Sequence, residues 1–438
     1  MEEKQWFREY VKYVSLNVLG MLGLSCYILA DTFFVSRGLG ADGLAALNLA
    51  IPVYNFINGC GLMLGMGGAA RYSISRAQGQ REMPDKIFMN TLYAGAFFYI
   101  LFMALGIFGS SGLTGFLGAD GPVYEMTHIY LKVMLIFAPF YMFNGILNCF
   151  VRNDGAPGLG MYAMLGGSAI NIVLDYVFIF PLHMGMLGAV LATAFAPVCG
   201  ILVLSSFFVK GRNHFHFRPV RPELRICRKN MVLGFPALVT EVSAGLVIVI
   251  FNILILRLEG TVGVAAYGII ANVSLVLIAV YTGVAQGIQP VCSDAKGRGE
   301  VRKAGRILYY AVFTVLISSV AIYLFMFFFA GSVTEIFNSE GSQSLARIAV
   351  RGIRIYFTAI PFAGFNVVLA AYFAAMDRAV PAQIISLLRG FVLIIPLACI
   401  LPVFWEMDGI WLAFPLTEAV TAAVGGWCLK GKRKSHRP

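Results

Sequence analysis

Charge is scarce in this sequence. Only 13% of its 438 residues are Asp, Glu, Lys or Arg, about half the share found in a typical soluble domain. Apolar side chains take their place: 59% of residues are hydrophobic and the mean hydropathy is +0.79. Such a chain belongs in a bilayer. That makes the excess of basic residues, a net charge of +11, a matter of membrane topology rather than of nucleic-acid binding. Paired cysteines are lacking too. Cys26, Cys60, Cys149, Cys199, Cys227, Cys292, Cys399 and Cys428 fall singly, with no CxxC, so neither a zinc site nor a disulfide framework is expected. Residues 1–12 lack a signal-peptide pattern, so the first span is expected to stay in the protein. The apolar segments hold no HExxH, GxSxG or Cys/His cluster, which argues against an enzyme. His214 and His216 stand in a basic stretch and are read as solvated surface rather than as a metal pair.

What is present is a series of long apolar runs. A membrane span needs about 20 mainly apolar residues. The runs near 14–35, 43–68, 88–109, 127–149, 159–181, 186–209, 231–256, 262–289, 305–330, 350–374, 381–403 and 409–429 meet that length. The expected fold is therefore an all-α polytopic membrane protein with twelve transmembrane helices. Alternate connections gather the bases: Arg71, Arg76, Arg81 and Lys86; Arg152; the run from Lys210 to Lys229; Lys296 to Arg306; and Arg378. The termini add Lys4, Arg8, Lys12, Lys430, Lys432, Arg433, Lys434 and Arg437, while the intervening connections hold Arg37 and Arg257. This asymmetry predicts that both termini are cytoplasmic.

The sequence also repeats. Pro139-Phe-Tyr-Met-Phe-Asn144 matches Pro361-Phe-Ala-Gly-Phe-Asn366, and Gly43-Leu-Ala-Ala-Leu47 matches Gly263-Val-Ala-Ala-Tyr267. Ala77-Gln-Gly-Gln80 resembles Ala295-Lys-Gly-Arg298, and Thr193 and Thr417 each stand eight residues after a glycine, Gly185 and Gly409. Six spans per repeat make the two halves parallel, with lobes expected at 1–215 and 216–438. Transporters are often built from such repeats, with the site between or within them. The glycines crowding residues 59–68 are read as helix-packing positions rather than a nucleotide loop. Pro52, Pro139, Pro197, Pro236, Pro361, Pro396 and Pro415 lie within spans, where each frees a carbonyl and permits a kink.

Ionisable groups inside a bilayer are costly and mark functional sites by default. The acids within spans are Asp31, Asp175, Glu241 and Glu418. Asn171 and Asp175 are four apart and share a helix face. At 1.5 Å of rise per residue, Asp31, Asp175 and Thr193 fall at one depth, with Tyr130 slightly outward and Asn171 one turn deeper. Two carboxylates, an amide and hydroxyls at one level suit either Na⁺ or a shared proton. They could alternatively bond one another to hold helices together. Glu241 and Glu418 fall near mid-membrane, and Arg389, at a similar depth, is a candidate ion-pair partner for Glu241.

Several stretches resemble the multidrug and toxic compound extrusion (MATE) family. They are Ala30-Asp-Thr-Phe-Phe-Val-Ser-Arg-Gly-Leu-Gly40 with Ile51-Pro52, Arg152-Asn-Asp-Gly-Ala-Pro157 leading into Asn171-Ile-Val-Leu-Asp175, Gly234-Phe-Pro236 with Glu241, and Gly409-Ile-Trp-Leu-Ala-Phe-Pro-Leu-Thr-Glu418. The resemblance implies a prokaryotic antiporter of the plasma membrane, coupled to H⁺ or Na⁺, that exports organic cations and amphipathic drugs by alternating access. It implies no other cofactor and no nucleic-acid partner, and a monomer in the lipid bilayer. It also implies a cation site at Asp31, Asn171 and Asp175, a pocket lined by Tyr130, Thr193 and a fourth-helix amide, Asn144 or Asn148, and a seventh-helix acid, Glu241. A lipid-linked precursor flippase of similar helical plan, and a cation channel, are the alternative readings.

Overall fold

The computed structural model describes residues 2–338 and 342–430, and every regular element among them is helical. In chain order the α-helices are α1 (Glu2–Ala77), α2 (Met83–Ala104), α3 (Ser110–Phe116), α4 (Gly121–Ile136), α5 (Ala138–Asn153), α6 (Pro157–Ile179), α7 (Gly185–Val209), α8 (Leu224–Gly297), α9 (Val301–Phe328), α10 (Ala330–Phe337), α11 (Gln343–Tyr356), α12 (Ile360–Ala375), α13 (Ala379–Leu387) and α14 (Ile394–Lys430). Helix is the expected state for apolar chain in lipid, because it satisfies each backbone donor and acceptor internally. Eight helical stretches among the described residues are long and apolar enough to cross a membrane, or nine with the α4–α5 pair, which bends by 49°.

Three of these stretches are too long for one crossing. A straight α1 would measure about 114 Å, against a hydrocarbon core of about 30 Å. Its helical path is broken at Gly40, where φ is 68° and ψ −156°, a conformation glycine alone adopts cheaply. The chain turns back there. The hydroxyls of Tyr27 and Tyr54 lie 3.0 Å apart, although a straight helix would separate them by about 40 Å. α8 breaks in the same way at Gly260 (φ 63°, ψ −154°), bringing the rings of Phe251 and Tyr267 to 5.5 Å. The stretch from Ala379 to Lys430 breaks at Trp405 and Glu406. Cut at these three places, the described residues accommodate twelve passes.

The matching breaks at Gly40 and Gly260 fix the register of the repeat. They also correct one proposed match. The turn glycines after α1 and α8 are Gly79 (φ 74°) and Gly299 (φ 75°), and Gln80 and Glu300 each close a turn onto the residue five back. Gly79 therefore corresponds to Gly299 and not to Gly297, and the pairing of 77–80 with 295–298 is two residues out. The Pro-Phe pairs do correspond. Pro139 follows the α4–α5 bend, and Pro361 follows a short 3-10 turn at Phe357–Ala359. The other intraspan prolines do not break the chain where the three long stretches fold back.

Each half has its own hydrophobic core, and the two cores trade ends. Tyr10 and Val14, from the start of α1, belong to the core of the second half. Ile226, from the start of α8, belongs to the core of the first. Glycines permit the close approach. Gly283 and Gly287 of α8 face the backbone of Val18 and Val14, and Gly61 and Gly65 of α1 seat Met142 and Ile146 of α5. The small-residue run is thus a packing surface, as its composition implies.

One face of the bundle gathers the N-terminus, the α1–α2, α5–α6 and α8–α9 turns, and the linker between halves. Lys303 meets Glu9 at 2.8 Å and Arg306 meets Glu3 at 2.9 Å; Arg76 pairs with Asp154. We call this the basic face. Lys432, Arg433, Lys434 and Arg437 lie outside the described residues. The opposite, far face also carries bases: Arg351 of α11 pairs with Asp408.

The side chains of His214 and His216 are exposed, as read from the sequence, but the linker between them is docked. Phe215 is fully buried among Phe88, Phe150 and Tyr72. On either side of it the amides of His214 and His216 donate to Asp154 Oδ2 (2.7 Å) and Asp85 Oδ1 (2.8 Å). The alternating His-Phe-His-Phe pattern is a docking strip with Phe215 on one side and its neighbours' amides turned to carboxylates. Among the described residues no three His, Cys, Asp or Glu side chains gather as a metal-binding group.

Candidate functional site

In the far-facing part of the first half, α1, α4, α6 and α7 enclose a small polar cluster. Asp31, Tyr130, Asn171, Asp175 and Thr193 are all buried. Asp31 and Asp175 are neighbours within the cluster, and Tyr130 and Thr193 stand beside them. With the amide nitrogen of Asn171 turned to Asp175 it donates to Oδ2 at 3.1 Å, and its oxygen accepts from the Thr193 amide at 3.3 Å. The helix spacing that put Asn171 and Asp175 on one face thus orients the acid through the amide.

Two ionised carboxyls cannot bond each other, because each only accepts. Two carboxyls close together in a desolvated site do not both stay ionised, so the pair suits a shared proton or a bound cation. Among the described residues neither acid has a cationic partner, and the Oδ1 atoms of both lack any hydrogen-bond donor. Oxygen ligands from two acids, an amide and hydroxyls are the donor set of a hard monovalent cation as well as of a proton.

The fourth-span amides stand apart from this cluster. Asn144 abuts Gly200 of α7, seven residues or about 10 Å beyond Thr193. Asn148 donates to the Gly160 carbonyl at 3.2 Å, fifteen residues or about 22 Å along α6 from Asp175. Asn148 is thus at the wrong depth for the cluster, and Asn144 is roughly two turns below it. The 49° bend between α4 and α5 hides the register of that span from the sequence.

The acids of the second half are differently placed. Glu418 is buried and fully engaged. Arg389 Nε and Nη2 donate to its Oε1 at 3.0 and 2.7 Å, and Asn366 Nδ2 donates to its Oε2 at 2.7 Å. Arg389 is therefore the partner of Glu418 and not of Glu241; depth along a span left both acids within its reach, and the helix faces decide between them. Glu241 instead accepts from Asn58 Nδ2 at 3.2 Å, across the contact between the halves. Asp31 corresponds to Phe251 by the Gly40–Gly260 match and Asp175 to Cys399 by the Thr193–Thr417 match, so the second half has no equivalent carboxyl pair at these positions. Glu418→Gln should strand the Arg389 charge and cost about 3–5 kcal/mol. Thermal unfolding in detergent should show that loss, and much less of it in the Arg389→Gln/Glu418→Gln double variant.

Residues that the sequence reading missed join these sites. Tyr27 stands one helical turn before Asp31 and bonds Tyr54, whose ring meets that of Tyr141 edge-on at 5.8 Å. The Tyr141 hydroxyl is buried without a partner. The i, i+4 spacing of Tyr27 and Asp31 was a usable signal; Tyr54 and Tyr141 are assembled only by the fold.

The MatE family model matches residues 18–177 and 236–400, which is most of the chain and both halves. The chain belongs to the MatE family. The multidrug export protein MepA of Staphylococcus saprophyticus is 24% identical over 425 residues, covering 96% of this chain and 93% of its own. A MATE protein crystallised in complex with MaL6 superposes with a TM-score of 0.91 at 24% identity, over 98% of this chain and 96% of that one. An outward-facing conformation of a multidrug resistance MATE transporter of the MOP superfamily superposes with a TM-score of 0.89 at 24% identity, again over 98% and 96% of the two chains. The all-helical fold of this chain is thus the fold of these MATE structures.

Proposed function

We propose that this protein is a multidrug efflux antiporter driven by H⁺ or Na⁺. The observation that carries the reading is an imbalance between the two halves. Glu418 has a permanent counter-charge in Arg389. The Asp31–Asp175 pair has none among the described residues and must take a mobile one. A charge buried in a membrane protein favours states in which it is neutralised or hydrated, so occupancy of the pair biases the conformation of its lobe. MepA relatives are named for multidrug export, and an acid, Glu241, faces the seam between the halves. An acid at the middle of that seam favours cationic or amphipathic cargo over a pyrophosphate-bearing lipid. Arg389 is consumed by Glu418, and the seam bases Arg71 and Arg152 lie nearer the basic face, where they bond Asn230 and Gln286.

Alternating access requires a seam that closes on one side at a time. The hydrogen bonds between halves lie at Asn58–Glu241 or nearer the basic face, as with Arg71 Nη1 to Asn230 Oδ1 (2.6 Å), Arg152 Nη1 to Gln286 Oε1 (2.6 Å) and Gln289 Nε2 to the Met66 carbonyl (2.9 Å). With the basic face taken as cytoplasmic, this is the state closed to the cytoplasm, in which the outer cluster would exchange ions and release cargo. The experiment is uptake of a fluorescent organic cation into everted membrane vesicles, driven first by a Na⁺ gradient alone and then by ΔpH alone. One of the two gradients should drive accumulation. Accumulation with neither, or an electrical conductance of channel size, would overturn the reading.

A further inference from the structure

Three cavities open on the basic face, and they differ in charge. One of about 800 Å³, which shares Lys12 with the third, is lined by bases together with Glu2, Glu9, Asp294 and Glu300, so it is neutralised by its own walls. Another includes Glu3. The third, of about 330 Å³, lies between the starts of α1 and α6 and the end of α7, and no carboxylate lines it. Its cations are Lys12, Lys210 and Arg212, all exposed and none in an ion pair among the described residues.

Apart from Ser206 and the Tyr162 hydroxyl, the remaining side chains of the wall are apolar and enter the membrane span. Leu16 lies one turn below Lys12, Leu159 is in the first turn of α6, and Phe207 lies one turn before Arg212. The first turn of α6, beginning at Pro157, also lines the cavity, which adds the positive end of a 23-residue helix dipole. The cavity is thus cationic at its rim and oily at its inner end, at the level where the spans emerge.

We propose that this cavity binds the phosphate-bearing headgroup of an anionic phospholipid, with its acyl chains descending along Leu16 and Leu159. Three unpaired cations and a helix N-terminus recognise a phosphate ester, which a free phosphate shares. The apolar inner wall has no use for a free ion and selects the lipid. A zwitterionic lipid brings its own ammonium and would gain far less from the rim. The site is independent of the transport reading, since it depends on neither Asp31 nor Glu241.

The test is lipid retention by the intact protein in detergent, counted by native mass spectrometry from an equimolar mixture of phosphatidylglycerol and phosphatidylcholine. Wild type should retain one phosphatidylglycerol preferentially. Each cation near an anionic headgroup is worth roughly a fivefold factor, so K12Q/K210Q/R212Q should lower the preference on the order of a hundredfold. R212Q alone should lower it several-fold, which keeps the test open should the triple variant fail to fold. Arg221, Arg225 and Arg228, exposed bases on the same face but outside the cavity, supply the control triple R221Q/R225Q/R228Q, which should retain the wild-type preference. Equal losses in both triples, no preference in wild type, or displacement of the lipid by millimolar inorganic phosphate would overturn the assignment.

Discussion

Asp31→Asn and Asp175→Asn should each bring gradient-driven uptake in everted vesicles down to background, with the protein still present in the membrane. Two neighbouring carboxyls in a desolvated site need a proton or a cation shared between them. Asn copies the neutral, occupied form of Asp in size and shape but cannot give up a proton, and it offers a cation no charge. The lobe would then be held in one state of occupancy, and a gradient would have nothing to act on. Folding should be largely spared, because each substitution removes an uncompensated buried acid and retains a hydrogen-bonding group. The comparison that decides the point is Glu418→Gln, where instability rather than uncoupling is expected. Purified Asp31→Asn and Asp175→Asn proteins should melt near the wild-type temperature. Full uptake in both Asn variants would remove the cluster from the coupling mechanism.

The second large effect concerns the seam. Gly67 and Gly234 meet across it so closely that a Cβ on Gly67 would lie 1.9 Å from the Asn230 carbonyl oxygen, and one on Gly234 would lie 1.8 Å from the Met63 carbonyl oxygen. Both obstacles are backbone, so no side chain can turn aside. Gly67→Ala and Gly234→Ala should therefore prevent the basic side from closing. Overpacking on this scale costs at least about 1–3 kcal/mol, a factor of roughly 5–150 in the population of the closed state. Uptake should fall accordingly, and a cysteine placed near Asn230 should become accessible to a membrane-impermeant thiol reagent. Gly305, beside which a Cβ meets nothing within 4 Å, provides the control, and Gly305→Ala should behave as wild type.

The architecture was legible because lipid permits so few answers. Apolar runs of span length, alternate clusters of Lys and Arg, and repeated Pro-Phe and Gly-Ala motifs lead to twelve helices in two halves. The grouping of Asp31, Asn171, Asp175, Tyr130 and Thr193 was legible for a related reason: depth in a helix follows from counting residues. Depth does not give rotation, however, and that is where the reading went astray. Arg389 was at a suitable level for either Glu241 or Glu418, and only the packing of α14 against the segment after α13 turns it to Glu418. Asn148 was misplaced because the bend at Phe137 separates α4 from α5 and shifts the register of everything after it. The linker's docking was hidden by its polarity. Its two histidines suggested water, while the function of the strip rests on their backbone amides and on Phe215 between them.

The traded core ends have a consequence for how the protein is assembled. Tyr10 and Val14 complete the second hydrophobic core, and Ile226 completes the first. Neither bundle is finished by its own stretch of chain. During synthesis the leading half emerges with its opening turn unhoused and with a vacant apolar seat for a residue not yet made. Fragments severed in the linker should therefore be degraded when produced singly and persist when produced in the same cell, because each supplies the plug the other lacks.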